Sequence, residues 1–230
     1  MNAFDVVIFD FDGTLFATRL AIVHCLRRAF AAHDRSVPAE REVAAAVNSG
    51  LPLQQTLVDL DVALHSDRAA LSALIATYRA IYSDEAAPLL QPFPGVAAVL
   101  QRLNARGTTC VVVSNKGIAA IRRSLDENHL SPFVDLVFGD APGLPNKPDS
   151  AILVDHIIPH YGRLPKERIL SVGDTEIDIM FARGAGIASC WAAYGYGKAE
   201  RCRKLRPEHE ISDIEELPAI MQSRRRQRTT

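Results

Sequence analysis

The sequence has no long apolar run, no surplus of charge and no paired-cysteine motif, and each absence excludes a class of protein. Apolar stretches such as 6–9 and 111–113 fall far short of the roughly 20 residues that a membrane-spanning helix needs. The N-terminus carries no basic segment followed by a long apolar one, so a cytoplasmic location is expected and no membrane partner. A formal net charge of -1 gives no electrostatic footprint for nucleic acid. The one basic cluster, Arg224, Arg225, Arg226 and Arg228, reads as a solvated terminus. Cys25, Cys110, Cys190 and Cys202 form no CxxC pair, and reduced thiols without a role are expected. No GxSxG turn speaks for a serine hydrolase. His156 and His160 stand either side of Pro159, which argues against a regular ligand-bearing helix and for a surface position.

What is present is enough apolar material for a sizeable core, 48% of 230 residues. Short apolar segments at 5–10, 109–114, 134–138, 169–173 and 187–191 alternate with helical ones. That alternation predicts an α/β fold, a Rossmann-like parallel sheet with helices on both faces. In such sheets ligands bind beyond the carboxyl ends of the strands, where Asp10, Ser114 and Asp174 fall. Residues 17–90 break the pattern. The spacing of Ile22, Leu26, Ala29 and Phe30, and of Leu71, Leu74, Ile75 and Tyr78, suits amphipathic helices packed on one another. The expectation is a helical domain over 17–90 inserted into a core of 1–16 and 91–230. The Gln91-Pro92-Phe93-Pro94-Gly95 stretch serves as the returning linker.

The first strand runs into Asp10-Phe11-Asp12-Gly13-Thr14-Leu15. Two carboxylates two residues apart can face one site if the chain turns after them, and Gly13 makes that turn easy. Such a pair costs stability unless a cation or ligand compensates it. DFDGTL resembles the first signature of the haloacid dehalogenase superfamily. Val113-Ser114-Asn115-Lys116 resembles the second, Lys147-Pro148 the third, and Gly173-Asp174-Thr175-Glu176-Ile177-Asp178 the fourth. The helical insertion is similar to the helical type of cap in that family.

The resemblance implies a magnesium-dependent phosphatase. Asp10 would be the nucleophile, forming an aspartyl phosphate, and Asp12 the general acid and base. Ser114, Asn115 and Lys147 would hold the phosphate. Asp10, the backbone carbonyl of Asp12, and Asp174 would ligate Mg2+, with Asp178 behind them. The partner expected is a small phosphorylated metabolite. Within the superfamily the chain is most similar to the phosphoglycolate phosphatase-like group. The similarity rests on Ser114-Asn115-Lys116, the helical cap, Gly184-Ala185-Gly186, Tyr194-Gly195-Tyr196-Gly197 and a final strand and helix over 206–217. At Ala17 many relatives carry an acidic residue. Residues 48–53 resemble the specificity loop of the cap, and read equally as a plain helix-to-helix turn. A phosphomutase related to the beta-phosphoglucomutases, a pyrophosphatase of the same superfamily, and a catalytically silent binding module remain alternatives.

Overall fold

The structure is a computed structural model that describes residues 3–162 and 164–222, so the arginine cluster at 224–228 lies outside the described residues. Eight strands are present among them: β1 (Val6–Phe9), β2 (Phe16–Ala17), β3 (Gln91–Pro92), β4 (Thr109–Gly117), β5 (Leu136–Asp140), β6 (Ile169–Gly173), β7 (Ala188–Ala192) and β8 (His209–Ile211). Six of them pair in parallel in the order β5-β4-β1-β6-β7-β8. The chain fills one side of β1 with β4 and β5, then crosses to the other with β6. The crevice where strand order reverses therefore opens at the carboxyl end of β1.

Period-two alternation explains why this sheet is covered on both faces. Val7 and Phe9 of β1, with Cys110 and Val112 of β4, point into one apolar cluster. Val6, Ile8, Val111 and Val113 point into another. Helix α5, the first to follow the inserted segment (Val96–Asn104; α1 to α4 are given below), covers the first face through Val96, Val99, Leu100 and Leu103. The second face is covered by a π-helical turn, Ile152–Ile157, and by α8 (Glu176–Ala185) through Phe181, Ala182 and Ala185. The π-turn runs into the short α7 (Ile158–His160), which contains Pro159, so this helix is indeed irregular. His156 and His160 are both exposed. The remaining helices are α6 (Ile118–Glu127), α9 (Ala199–Lys204) and α10 (Leu217–Ile220). All four cysteines are buried and free.

Two boundaries differ from the sequence expectation. Strand β4 continues three residues past Ser114 to Gly117, with a register shift between Val113 and Gly117, which carries Asn115 and Lys116 to the rim of the sheet. Strand β5 starts at Leu136 because a 3-10 turn at Ser131–Phe133 delays the chain.

Helices α1 (Arg19–Ala32), α2 (Glu40–Val47), α3 (Leu53–Leu60) and α4 (Arg68–Glu85) share an apolar cluster of their own, built on Leu26, Phe30, Val43, Leu57, Leu64 and Leu74. The chain leaves the sheet through β2 and returns through β3. These two strands are antiparallel neighbours, with Phe16 opposite Pro92 and Ala17 opposite Gln91. The proline- and glycine-containing linker is thus half of a two-stranded ribbon, closed by Phe93 N–H donating to the Leu15 carbonyl at 2.9 Å. No helix among the described residues is long and apolar enough to cross a membrane.

Candidate active site

Four segments converge at the carboxyl end of β1. The first is the turn after it, where Asp10 N–H donates to the Val172 carbonyl of β6, and Leu15 and Phe16 N–H both return to the Phe11 carbonyl. This tight turn brings Asp12 back beside Asp10. Gly13 has φ +88°, and a Cβ there would lie 2.3 Å from Asp174 Oδ2, so only glycine fits.

The end of β4 supplies Ser114, Asn115 and Lys116, all in or near the cavity. The loop after β5 supplies Lys147, whose peptide bond to Pro148 is cis. Lys147 is buried, and its ammonium lies 2.6 Å from Asp10 Oδ1 and 2.5 Å from Asp178 Oδ1. Burial works against that ammonium, but Asp10 and Asp178 outweigh it and hold its pKa above the ordinary lysine value.

Asp174 follows β6, and Asp178 lies in the first turn of α8. Asp174 is fully buried. Thr14 Oγ1 donates to its Oδ1 at 3.1 Å and Tyr196 N–H to its Oδ2 at 2.6 Å. Burial first, then Asp10 and Asp178, push its carboxyl well above the usual range. Asp10 is raised to about 6, chiefly by burial, with Lys147 acting in the opposite direction. Asp178 Oδ2 accepts from Thr175 N–H at 3.0 Å and Thr175 Oγ1 at 2.8 Å, a capping box that fixes the start of α8.

Carboxylate oxygens of Asp10, Asp174 and Asp178 all lie within 4.8 Å of one another. The site holds four carboxylates, with Asp12, against the two ammonium groups of Lys116 and Lys147, a formal charge of -2. Clustered hard oxygen donors with that charge fit a divalent cation of the magnesium type. Asp10, Asp174 and Asp178 are the side chains that could hold it.

A cavity of about 100 Å³ lies over these groups. Its floor is Asp10, Asp12, Ser114, Lys116 and Lys147, and its roof comes from the helical insertion through Leu26, Gly50, Leu53 and Tyr78. The loop at 48–53 touches the core directly. Asn115 Nδ2 donates to the Gly50 carbonyl at 3.0 Å, and a Cβ on Gly50 would meet Thr175 Oγ1 at 2.7 Å.

The structure brings together Asp10, Asp12, Ser114, Asn115, Lys147, Asp174 and Asp178, the candidate site residues of the sequence. The side chain of Asn115, expected at the phosphate, is committed to backbone. Its Nδ2 donates to the Gly50 and Lys147 carbonyls, and its Oδ1 accepts from Lys147 N–H. An amide satisfied three times over has little left for a ligand.

Lys116, Thr14 and Tyr196 were assigned no role from the sequence. Lys116 pairs with Asp12 at 3.0 Å. The Tyr196 hydroxyl accepts from Thr18 N–H at 2.7 Å and Arg19 N–H at 3.0 Å, capping α1 where no side chain of α1 itself does so. All three fall inside the motifs quoted above, DFDGTL, Ser114-Asn115-Lys116 and Tyr194-Gly195-Tyr196-Gly197, which is the signal that points to them.

Known proteins resemble this chain in sequence and in fold. The profile of the family described as haloacid dehalogenase-like hydrolase matches residues 7–192. The chain is 29% identical over 223 residues to a protein of Dickeya dadantii named "Probable phosphatase IndB", covering 92% of this chain and 91% of that one. It is 30% identical over 197 residues to a phosphoglycolate phosphatase of Rhodospirillum rubrum, covering 84% and 80%. In structure it is similar to a haloacid dehalogenase-like family hydrolase from Streptococcus pneumoniae, with a TM-score of 0.80, 20% identity and coverage of 96% and 99%, a likeness of fold. The doubly covered parallel sheet and the match from β1 to β7 leave one assignment, and the chain belongs to the haloacid dehalogenase-like hydrolases.

Proposed function

We propose that this protein is a magnesium-dependent phosphatase that hydrolyses a small phosphate monoester through an aspartyl phosphate on Asp10. The observation that carries the reading is the buried Asp10–Lys147 pair beside Asp12, at the floor of a small cavity. Residues 17–90 act as a cap over a core of 1–16 and 91–230.

An Asp10 oxygen attacks phosphorus as the ester P–O bond breaks, and the departing alkoxide takes a proton from Asp12. Water then attacks the same phosphorus and gives its proton to Asp12. The bond from phosphorus to Asp10 breaks, and inorganic phosphate leaves. Lys147, already beside Asp10, neutralises phosphoryl oxygens together with the Ser114 hydroxyl and the backbone amides near Asn115. Asp10, the Asp12 carbonyl and Asp174 would hold Mg2+, with Asp178 behind them. When bound, the ion offsets the negative charge shared by the nucleophile and the phosphoryl group. The apolar side chains of the roof, Leu26, Leu53 and Tyr78, lower the local dielectric, which strengthens each of these interactions.

The small cavity favours a small leaving group, and 2-phosphoglycolate is the first ester to test because the Rhodospirillum rubrum relative is named for it. The experiment is a panel of phosphoglycolate, pyrophosphate, nucleotides and sugar phosphates. At least one is expected to be hydrolysed, with activity lost in excess chelator and restored by Mg2+. Full activity after verified metal removal, or turnover only with a sugar bisphosphate activator, would overturn the proposal.

A further inference from the structure

We propose that Lys116 is a positioning residue that fixes Asp12 for proton transfer only while helix α4 is seated over the site. The inference rests on the role of Asp12 given above and adds a residue and a link between cap and chemistry.

The Lys116 side chain is 7% exposed, and its ammonium lies 3.0 Å and 3.4 Å from the two Asp12 oxygens. On its other side it lies 4.2 Å from the centre of the Tyr82 ring, which belongs to α4. A cation with one face on a carboxylate and another on an aromatic ring is held from two directions. Its stem crosses between the cavity over Asp10 and an apolar one of about 380 Å³ beside it, and with Tyr78 it lines both. The same helix is held down by Arg79 donating to Asp140 at 2.6 Å. From the core, Arg123 donates to the Ser83 carbonyl at 2.8 Å and to its hydroxyl at 2.6 Å.

These contacts belong to one seated position of α4. If the helix lifts, Lys116 loses the Tyr82 ring at 4.2 Å and its cover, and keeps only the more distant Phe11 ring of the core at 5.9 Å. A solvated lysine has several free rotatable bonds, and an ion pair in water is worth little. Asp12 then loses the partner that fixes its carboxylate. With the helix down, burial makes the pair geometrically demanding, since a buried charge must stay matched. The Asp12 oxygens are thus held in line only while the helix covers the lysine. The ammonium favours their ionised form, which takes the proton of the attacking water, and keeps the same oxygens aimed at the leaving group when Asp12 carries the proton.

The test is a set of phosphate esters with leaving groups from alkoxide to nitrophenolate, turned over by Lys116→Met, Lys116→Arg, Tyr82→Leu and Asp12→Ala. Asp12→Ala sets the scale. It should slow alkyl esters by about a hundredfold or more while still phosphorylating Asp10 with nitrophenyl phosphate. Lys116→Met should slow alkyl esters by roughly ten- to a hundredfold and Asp10 phosphorylation by nitrophenyl phosphate by less than about threefold. Lys116→Arg should recover part of the loss, and Tyr82→Leu should show the same dependence on leaving group at smaller size.

Equal slowing of all esters by Lys116→Met, or a rise in KM alone, would overturn the proposal in favour of a packing or substrate-binding lysine. Loss of leaving-group dependence in Tyr82→Leu would overturn the link to α4. If Lys116→Met does not fold, Lys116→Arg and Tyr82→Leu decide. Absence of leaving-group dependence in Asp12→Ala would instead remove the acid itself, and the inference with it.

Discussion

At the scale of single residues, the site gathers more negative charge than its own lysines balance, and substitutions should report which carboxylate does what. Asp10→Asn keeps the shape of the side chain and is expected to abolish turnover, by at least the hundredfold typical of losing a catalytic group. A pure variant of verified mass with normal turnover would take Asp10 out of the nucleophile role. Asp174→Ala should mainly raise the Mg2+ concentration needed for half-maximal activity, and an unchanged titration would put the ion elsewhere. Gly13→Ala meets both a left-handed φ and a 2.3 Å approach to Asp174 Oδ2. It should lower stability by about 1 kcal/mol or more from the backbone alone, and displace Asp174 as well. A melting midpoint equal to the parent's would contradict that packing. The carboxylates and Lys147 were legible in the sequence because they sit next to strand ends or in short motifs, where local order fixes their place. The pairing of Lys116 with Asp12 joins positions 104 apart and was not legible. It depends on β4 running past Ser114, which apolar periodicity cannot reveal once the residues become polar.

At the scale of elements, the first helix of the insertion starts against the loop after β7. The two N–H groups at its start donate to the Tyr196 hydroxyl, while Tyr196 N–H donates to Asp174. One tyrosine therefore ties the start of α1 to a candidate metal ligand. The Arg19 guanidinium stacks 4.2 Å over the same ring and would remain over phenylalanine. Tyr196→Phe should thus isolate the hydroxyl, costing about 1–3 kcal/mol for donors left without a partner and raising KM for a small ester. Unchanged KM and melting midpoint would mean that the phenol does not hold α1. The helical character of this region is legible in the spacing of Leu26, Phe30, Leu74 and Tyr78. The docking of 48–53 on Asn115 and Thr175 is not legible there, since that contact is set by how two separately packed clusters meet.

At the scale of the whole molecule, stability, pH and metal are linked through the buried acids. Burial raises Asp10 in the folded protein to about 6, above the ordinary carboxylate range near 4, so the stability it contributes is present below about 4 and is lost as pH rises through about 6. Asp174 is raised in the same direction and adds the same sign. In chelator, the melting midpoint should carry a component that falls as pH rises through about 6. Added Mg2+, which competes with protons for the same oxygens, should raise the midpoint more at about pH 8 than at about pH 5. Equal stabilisation at both values, read by scanning calorimetry, would separate the metal from this cluster.

The ribbon of β2 and β3 has a consequence for the architecture as well. Since Ala17 and Gln91 are hydrogen-bonded neighbours on adjacent strands, the chain departs and returns at a single point. A tight turn joining them would leave every strand of the six-stranded sheet in register, because closing so short a loop costs little chain entropy. The helical bundle is in that sense a graft on a hairpin, exchangeable for one of different size without rebuilding the catalytic floor.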